Sequence, residues 1–478
     1  MGWLLFTAIT LGHVLEITLV YWVLTNSYRS PAASVAWILA IVFIPVMGPL
    51  TFLVFGLSRV ESRRDRRRAA DAASEAAFRN VRLAHRAESD ALPAPGPQIA
   101  RVAVQVCDFH VTSGNTVEVI ADTNRTLGLI SQAIEAAEET LHLEYYIWEP
   151  DRTGRMLRDR LIDRAREGVK VRFLYDSFGS FFLRRRFLQP MIDAGIEVAS
   201  FIPGNTFRDR WSINLRSHRK IVVADGRVGF TGGMNIGDEY LGKRREFGFW
   251  RDTHARIEGP AVAQLQRVFC DDWFYSTGEL LDDPRLHASI TASGDRKVQI
   301  IAGGPVSEPR PFHALLFAAI NEARHEVLLT TSYFIPTDPL AMVLATAALR
   351  GVRVRIIVPG RNAHRVPLTI WAGRAYYDAL LAAGVEIHEY DRGILHSKTL
   401  VVDRTWSMVG TPNYDNRSVS LNFEVAATFF DAATADELVT QFKSDLNDAY
   451  PVTAASRAKV RPVSRAGENL AKLFAPVL

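Results

Sequence analysis

His218 and Lys220 are separated by one residue and Asp225 follows after four more, and His396, Lys398 and Asp403 repeat that H-x-K-x4-D spacing in the second half of the chain. Of the twelve histidines, only these two carry the pattern. Each motif then leads into a turn of the same form, Gly232-Gly233-Met234-Asn235 and Gly410-Thr411-Pro412-Asn413. One such motif would arise by chance in roughly a few per cent of chains of this length at average composition. Two copies with matching turns are not coincidence. Ile221 to Val223 and Thr399 to Val402 have strand character, so His and Lys at i, i+2 are expected on one face, an imidazole beside an ammonium. That pairing suits a phosphate. A neutral imidazole can attack phosphorus, Lys220, Lys398, Asn235 and Asn413 can hold the non-bridging oxygens, and a second histidine can protonate the leaving oxygen. The two histidines must then hold opposite protonation states, which a shared anionic substrate and local carboxylates can arrange. The lysines already supply positive charge, so the expected site needs neither metal nor cofactor.

The elements that position these residues are themselves repeated. Ala133-Ile134 through Glu144-Tyr145-Tyr146-Ile147-Trp148 matches Ala319-Ile320 through Thr330-Thr331-Ser332-Tyr333-Phe334, and Gly168 to Leu174 matches Gly351 to Ile357. Ala194 to Val198 likewise matches Ala383 to Ile387. Helical stretches alternating with short β-branched runs predict an α/β fold, and two copies predict two similar lobes about a pseudo-twofold axis. A site on that axis would draw on both lobes.

Ahead of the repeat, Met1–Leu24 and Ala32–Leu57 are apolar runs of the length expected of transmembrane helices. Arg59, Arg63, Arg64, Arg66, Arg67 and Arg68 crowd after the second run, against Arg29 between the two, which predicts cytoplasmic termini and a basic stretch facing anionic headgroups. His13 and Glu16 share a face of the first span, and Pro45 and Pro49 are expected to kink the second. From Ala69 the chain reads as a helix, with a stiff linker at Leu92–Pro97. The expected organisation is thus two spans over 1–58, a juxtamembrane helix and linker over 59–98, lobes over 99–292 and 293–450, and an amphipathic tail over 451–478.

The composition agrees. A chain of 478 residues with 48% hydrophobic and 23% charged residues is globular, and 56 Lys+Arg against 52 Asp+Glu leave a net charge of +4, which gives no global field for nucleic acid. Cys107 and Cys270, far apart, argue against a disulfide-stapled scaffold and leave no C-x-x-C zinc pair.

The duplicated constellation resembles the phospholipase D superfamily, from about Ile99 to Tyr450. That resemblance implies a phosphohistidine intermediate, phosphate binding by Lys220, Lys398, Asn235 and Asn413, motif aspartates Asp225 and Asp403 that support the loops, and downstream carboxylates, here Asp252 and Glu424, that orient the histidines. Gly233 departs from the pattern, where the superfamily commonly has Ser and the second copy has Thr411. The wider layout, with Tyr146-Ile147-Trp148, Trp250-Arg251-Asp252-Thr253-His254 and Ser332-Tyr333-Phe334-Ile335-Pro336, resembles the bacterial cardiolipin synthase family. It implies transfer of a phosphatidyl group between two phosphatidylglycerol molecules to give cardiolipin and glycerol, at the inner membrane, with a multi-pass anchor and a cytoplasmic catalytic domain. His218 is read as nucleophile and His396 as acid and then base, roles that pseudo-symmetry leaves exchangeable. The alternatives are a hydrolytic phospholipase D, a nuclease and a silent scaffold that binds anionic lipid. Phe181–Leu188 and Phe207–Trp211 mix aromatic and basic residues, as an anionic interface would require, and Leu470, Leu473, Phe474 and Val477 mark a terminal helix that is either interfacial or packed. Tyr145, Asp176, His254 and Arg417 are either pocket residues or structural polar groups.

Overall fold

The computed structural model describes residues 2–25, 31–53, 86–201, 216–244, 246–283, 286, 291–305, 307, 310–360 and 367–476. They fall into an N-terminal unit, Met1–Asp65, and a larger body, Arg66–Leu478.

In the N-terminal unit, helix α1 (Gly2–Thr25) is followed by α2 (Pro31–Phe43) and a short α3 (Met47–Thr51). The second apolar run is therefore not one kinked helix. Pro45 lacks the N–H that a continuing helix needs, and Val46 turns the chain at a left-handed φ of 65°. Leu19, Val23, Ile41 and Phe52 form a small core, with Trp22 and Trp37 edge-on to Phe52 at 5.7 and 5.2 Å. Most of the large apolar side chains instead face outward, among them Trp3, Phe6, Leu11, Ile17, Tyr21, Leu24 and Phe43. His13 and Glu16 are hydrogen-bonded at 3.0 Å. Among the described residues, no helix is long and apolar enough to cross a membrane. The arginine cluster after the second run and most of the helix expected from Ala69 lie outside the described residues.

The larger body is organised by one long mixed sheet. Its first half contributes β1 (Thr112–Ile120), β2 (Thr140–Tyr145), β3 (Lys170–Tyr175), β4 (Glu197–Ser200), β5 (Arg216–Ser217), β6 (Lys220–Ala224), β7 (Val228–Gly232), β8 (Trp250–Arg251) and β9 (His254–Glu258). The second half contributes β10 (Arg296–Gly303), β11 (Glu326–Thr330), β12 (Phe334–Ile335), β13 (Arg353–Pro359), β14 (Glu386–Tyr390), β15 (Ile394–Leu395), β16 (Thr399–Val402), β17 (Trp406–Gly410), β18 (Tyr414–Asp415), β19 (Asn422–Phe429) and β20 (Ala449–Val452). The strand order β1-β9-β7-β6-β2-β3-β4 in one half is matched by β10-β19-β17-β16-β11-β13-β14 in the other, and antiparallel pairing of β1 with β10 joins them. In each half three strands run parallel, β2-β3-β4 and β11-β13-β14, with a helix in each connection, as parallel neighbours require.

Both faces of the sheet are covered, which explains its near-continuous apolar strands. On β6, Val222 joins a first-lobe core with Leu143, Phe173 and Phe230, while Ile221 and Val223 join a shared core with Ile300, Val409 and Phe429. Helices Ala261–Thr277 and Ala432–Leu446 seal that shared core with Leu265, Val268, Leu438 and Phe442.

The segments that flank the two lobes pack on the body. Leu92–Pro97 is not a free linker: Leu92 is buried, and the helix Gly96–Cys107 places Ile99, Ala100 and Ala103 against Phe312, Leu315 and Phe430 of the second half. At the other end, the residues after Tyr450 complete β20, which pairs with β14. The helix Pro462–Lys472 then follows, and its Glu468 is ion-paired to the buried Arg457. Leu470, Leu473 and Phe474 face outward there, and Val477 lies outside the described residues.

Candidate active site

His218 and His396 precede their strands rather than lying within them, and each is set by backbone from the other lobe. In β5, Arg216 and Ser217 pair in parallel with Asn422 and Phe423 of β19, and the His218 N–H donates to the Phe423 carbonyl at 2.8 Å. Ile394 and Leu395 of β15 pair in the same way with Trp250 and Arg251 of β8, and the His396 N–H donates to the Arg251 carbonyl at 2.7 Å. The next residue along each partner strand is a carboxylate.

Those carboxylates are Glu424 and Asp252, and they take the histidines crosswise. Nδ1 of His218 is 2.9 Å from Glu424 Oε2, and Nδ1 of His396 is 2.7 Å from Asp252 Oδ2. Burial holds the imidazoles neutral, lowering His218 to about 4 and His396 to about 3 against the partial offset of their carboxylates. A neutral ring facing a carboxylate carries its proton on Nδ1, which leaves the Nε2 lone pair for chemistry. Burial raises both carboxylates, but the adjacent histidines and lysines outweigh it and hold both below the ordinary range.

Lys220 and Lys398 are fully buried next to the histidines and are not among the residues that line the cavity. Each ammonium donates to the carbonyl of the histidine two residues earlier, Lys220 to His218 at 2.6 Å and Lys398 to His396. Burial lowers them to about 7 and about 8, with Glu424 and Asp252 opposing that shift. The residues they touch are repeat equivalents: the Lys220 ammonium lies 5.3 Å from the Tyr146 ring centroid, and Lys398 donates to Ser332 Oγ at 2.7 Å.

The asparagines and the motif aspartates go to different places. Asn235 and Asn413 line the cavity between the histidines, a space of about 370 Å³. Asn235 Oδ1 accepts from the Ile147 N–H at 3.2 Å, whereas the buried Asn413 Oδ1 has no hydrogen-bond partner among the described residues. Asp225 and Asp403, grouped with the catalytic residues by their motif, do not line the cavity. Asp225 accepts three backbone N–H groups, from Glu138, Glu139 and Thr140, at 2.8–2.9 Å. Asp403 does the same for Arg324, His325 and Glu326 at 2.7–2.9 Å. Both tie the turn after a motif strand to the start of its neighbour, a positioning role.

Of the further candidates, Arg417 lines the cavity, as do Tyr240 and Trp250, and so do Arg216 and Asp415, which the sequence reading did not single out. Asp176 accepts the N–H groups of Phe178, Gly179 and Ser217 and so fixes the approach to His218. His254 is buried behind the site, where burial lowers it to about 4, and its Nδ1 accepts from the Met234 N–H at 3.4 Å. Tyr145 is core, edge-on to Trp148. Phe207–Trp211 lie outside the described residues. Gly233 has a steric reason: a Cβ there would lie 2.0 Å from Asp252 Oδ1. Thr411, its counterpart, donates its hydroxyl to Glu424, so it braces the carboxylate of His218. Among the described residues no cluster of three or more His, Cys, Asp or Glu side chains forms a metal-holding set.

Comparison with known proteins agrees with this geometry. The family model described as cardiolipin synthase, PLD-like domain, matches residues 130–273 and 316–446, and one described as phospholipase D-nuclease N-terminal matches residues 14–56. The chain is 39% identical to a cardiolipin synthase of Alkalihalophilus pseudofirmus, over 94% of this chain and 90% of that protein. It is 37% identical to one of Geobacillus kaustophilus, over 99% and 94%. Among solved structures, the phosphatidylserine synthase of Haemophilus influenzae shares the fold, with a TM-score of 0.59 at 14% identity over 80% of this chain and all of that one. With two copies of the phospholipase D-like domain and relatives matched almost from end to end, the chain belongs to the cardiolipin synthase family.

Proposed function

We propose that this chain is a phosphatidyltransferase that makes cardiolipin from two phosphatidylglycerol molecules, with the cavity between His218 and His396 as its active site. The observation that carries the reading is the crossed pair of Nδ1–carboxylate hydrogen bonds, which presents two neutral imidazoles to one cavity, each with a buried lysine on its backbone carbonyl. In the first step His218 Nε2 attacks the donor phosphorus, an N–P bond forms, the bond to the glycerol oxygen breaks, and His396 gives that oxygen its proton. In the second, the terminal hydroxyl of another phosphatidylglycerol gives its proton to His396 and its oxygen to phosphorus, and the N–P bond breaks. Lys220, Lys398, Asn235 and Asn413 hold the phosphate, while Glu424 and Asp252 keep the imidazoles in the required tautomer. Because His396 is neutral before substrate enters, it must first take a proton from solvent onto Nε2, which the bound anionic phosphate favours by raising the imidazole affinity for it; that is the proton the glycerol oxygen receives, and the acceptor hydroxyl restores it in the second step. The lobes are read as 99–292 and 293–450, preceded by an anchor and a basic stretch and followed by a tail over 451–478.

The N-terminal unit is read as a multi-pass anchor in the bacterial inner membrane, with the catalytic body cytoplasmic. Its support is the outward-facing apolar surface of α1 to α3, which in water would be an exposed liability. The exposed Phe178, Phe181 and Phe182 beside Arg184, Arg185 and Arg186 suit an anionic lipid surface on the body itself.

The test is incubation of the purified protein with phosphatidylglycerol vesicles and mass spectrometry of lipids and released glycerol. Cardiolipin with glycerol is expected, lost in both His218→Ala and His396→Ala. Phosphatidic acid as the only product would make the enzyme a hydrolase.

A further inference from the structure

The duplicated motif gives the cavity a nearly symmetric centre, but its flanks are not symmetric. Two residues before His218 stands Arg216, paired with Asn422; the equivalent position before His396 is Ile394, paired with Trp250. Four residues after Asn413 stands Arg417; four after Asn235 stands Glu239. Each lobe therefore brings one arginine to the cavity that has no counterpart in the other copy. Arg216 is buried, with its guanidinium 4.0 Å from the Phe178 ring centroid, and Arg417 lies in the helix Asn416–Ser420. The two guanidiniums and the Tyr146 hydroxyl are close enough to feel one another's charge.

The arginines and the lysines lie in different surroundings. Lys220 and Lys398 are matched by Glu424 and Asp252, and that set serves one phosphate. Near the arginines are Asp176 and Asp415. Burial raises the Asp415 carboxyl to about 7. A cavity acting on one phospholipid and water has one phosphate to hold. A cavity that joins two phospholipids must also accommodate the phosphodiester of the second, and a planar guanidinium presents the paired donors that such a group accepts.

Building on the transferase reading, we propose that Arg216 and Arg417 form a second anion subsite, which holds the phosphodiester of the acceptor phospholipid while its terminal hydroxyl reaches the reacting phosphorus. The three-carbon glycerol spacer separates the two phosphates and leaves the hydroxyl free to form the new O–P bond as the N–P bond breaks and His396 takes the proton. An uncharged alcohol makes no use of the subsite.

The experiment compares two acceptors for the same phosphohistidine. In mixed vesicles of phosphatidylglycerol and phosphatidylcholine, cardiolipin formation reports the anionic acceptor, and incorporation of labelled glycerol into phosphatidylglycerol reports a neutral one. Arg417→Gln is expected to lower the ratio of cardiolipin formation to glycerol exchange at least about tenfold, with a raised KM for phosphatidylglycerol as acceptor. Arg417→Lys, which keeps the charge, should recover part of it, and Arg216→Lys should lower the ratio in the same sense. A parallel fall in both reactions would overturn the proposal and put the arginines on the donor or the fold, and an unchanged ratio would overturn it too. A wild-type protein that performs neither reaction would overturn the transferase reading beneath it.

Discussion

At the scale of single residues, the problem is to make two identical imidazoles do different things. Burial holds His218 at about 4 and His396 at about 3, so neither is charged before substrate enters, and each Nδ1 proton is held by a carboxylate that accepts and cannot donate. Substitution by an amide keeps the size but removes the charge that favours imidazolium and lets the ring adopt the wrong tautomer. Glu424→Gln and Asp252→Asn are therefore each expected to lose about 10²–10⁴-fold in kcat with the melting temperature little changed. Single-turnover measurement of phosphohistidine should show which variant slows its formation and which its decay, and variants within about twofold of wild type would refute the role. The sequence makes these two carboxylates legible as candidates, but not the exchange between lobes, because residue spacing carries no information about which lobe each faces. Gly233 and Thr411 show a similar limit. Their difference reads as a lost hydroxyl until Asp252 is seen to need the space and Glu424 the hydrogen bond.

At the scale of elements, the motif aspartates explain why a strand-turn unit, and not merely a His and a Lys, is duplicated. Asp225 and Asp403 sit at left-handed φ of 53° and 50°, and each carboxylate gathers three N–H groups at the head of the adjacent strand, β2 or β11. That fixes the register of β6 on β2 and of β16 on β11, and so the height at which each lysine meets its histidine. Asp225→Ala is expected to destabilise the body by about 2–3 kcal/mol, from the loss of charge-assisted hydrogen bonds, with activity per folded molecule within a fewfold. Denaturant titration beside active-site counting separates the two, and a large loss of kcat at unchanged stability would return Asp225 to the chemistry. Strands such as β6 were legible because both faces are buried and the apolar run is unbroken. The break at Pro45 was legible as a kink, whereas the packing of Leu92–Pro97 was not, since proline-rich composition looks alike in a tether and in a wedge against Phe430.

At the scale of the whole molecule, the repeated strand order places two copies of one topology on a continuous sheet, and the joint between β1 and β10 lets short strands cross from each copy to the other's histidine. The site is thereby unavailable to either half. His218 needs Phe423 and Glu424 of the second half, and His396 needs Arg251 and Asp252 of the first. Further contacts lock the same arrangement, with Arg251 held bidentately by Asp445 at 2.8 and 2.9 Å and Thr253 hydrogen-bonded to Ser397 at 2.7 Å. Both halves belong to one chain, and the two histidines and the carboxylates that hold them are all supplied within it. Co-expression of His218→Ala with His396→Ala is then expected to give no more cardiolipin than either variant alone. If halves were exchanged freely between chains, about a quarter of the sites would recover both histidines, and activity of that order in the mixed preparation would refute a site completed within one chain.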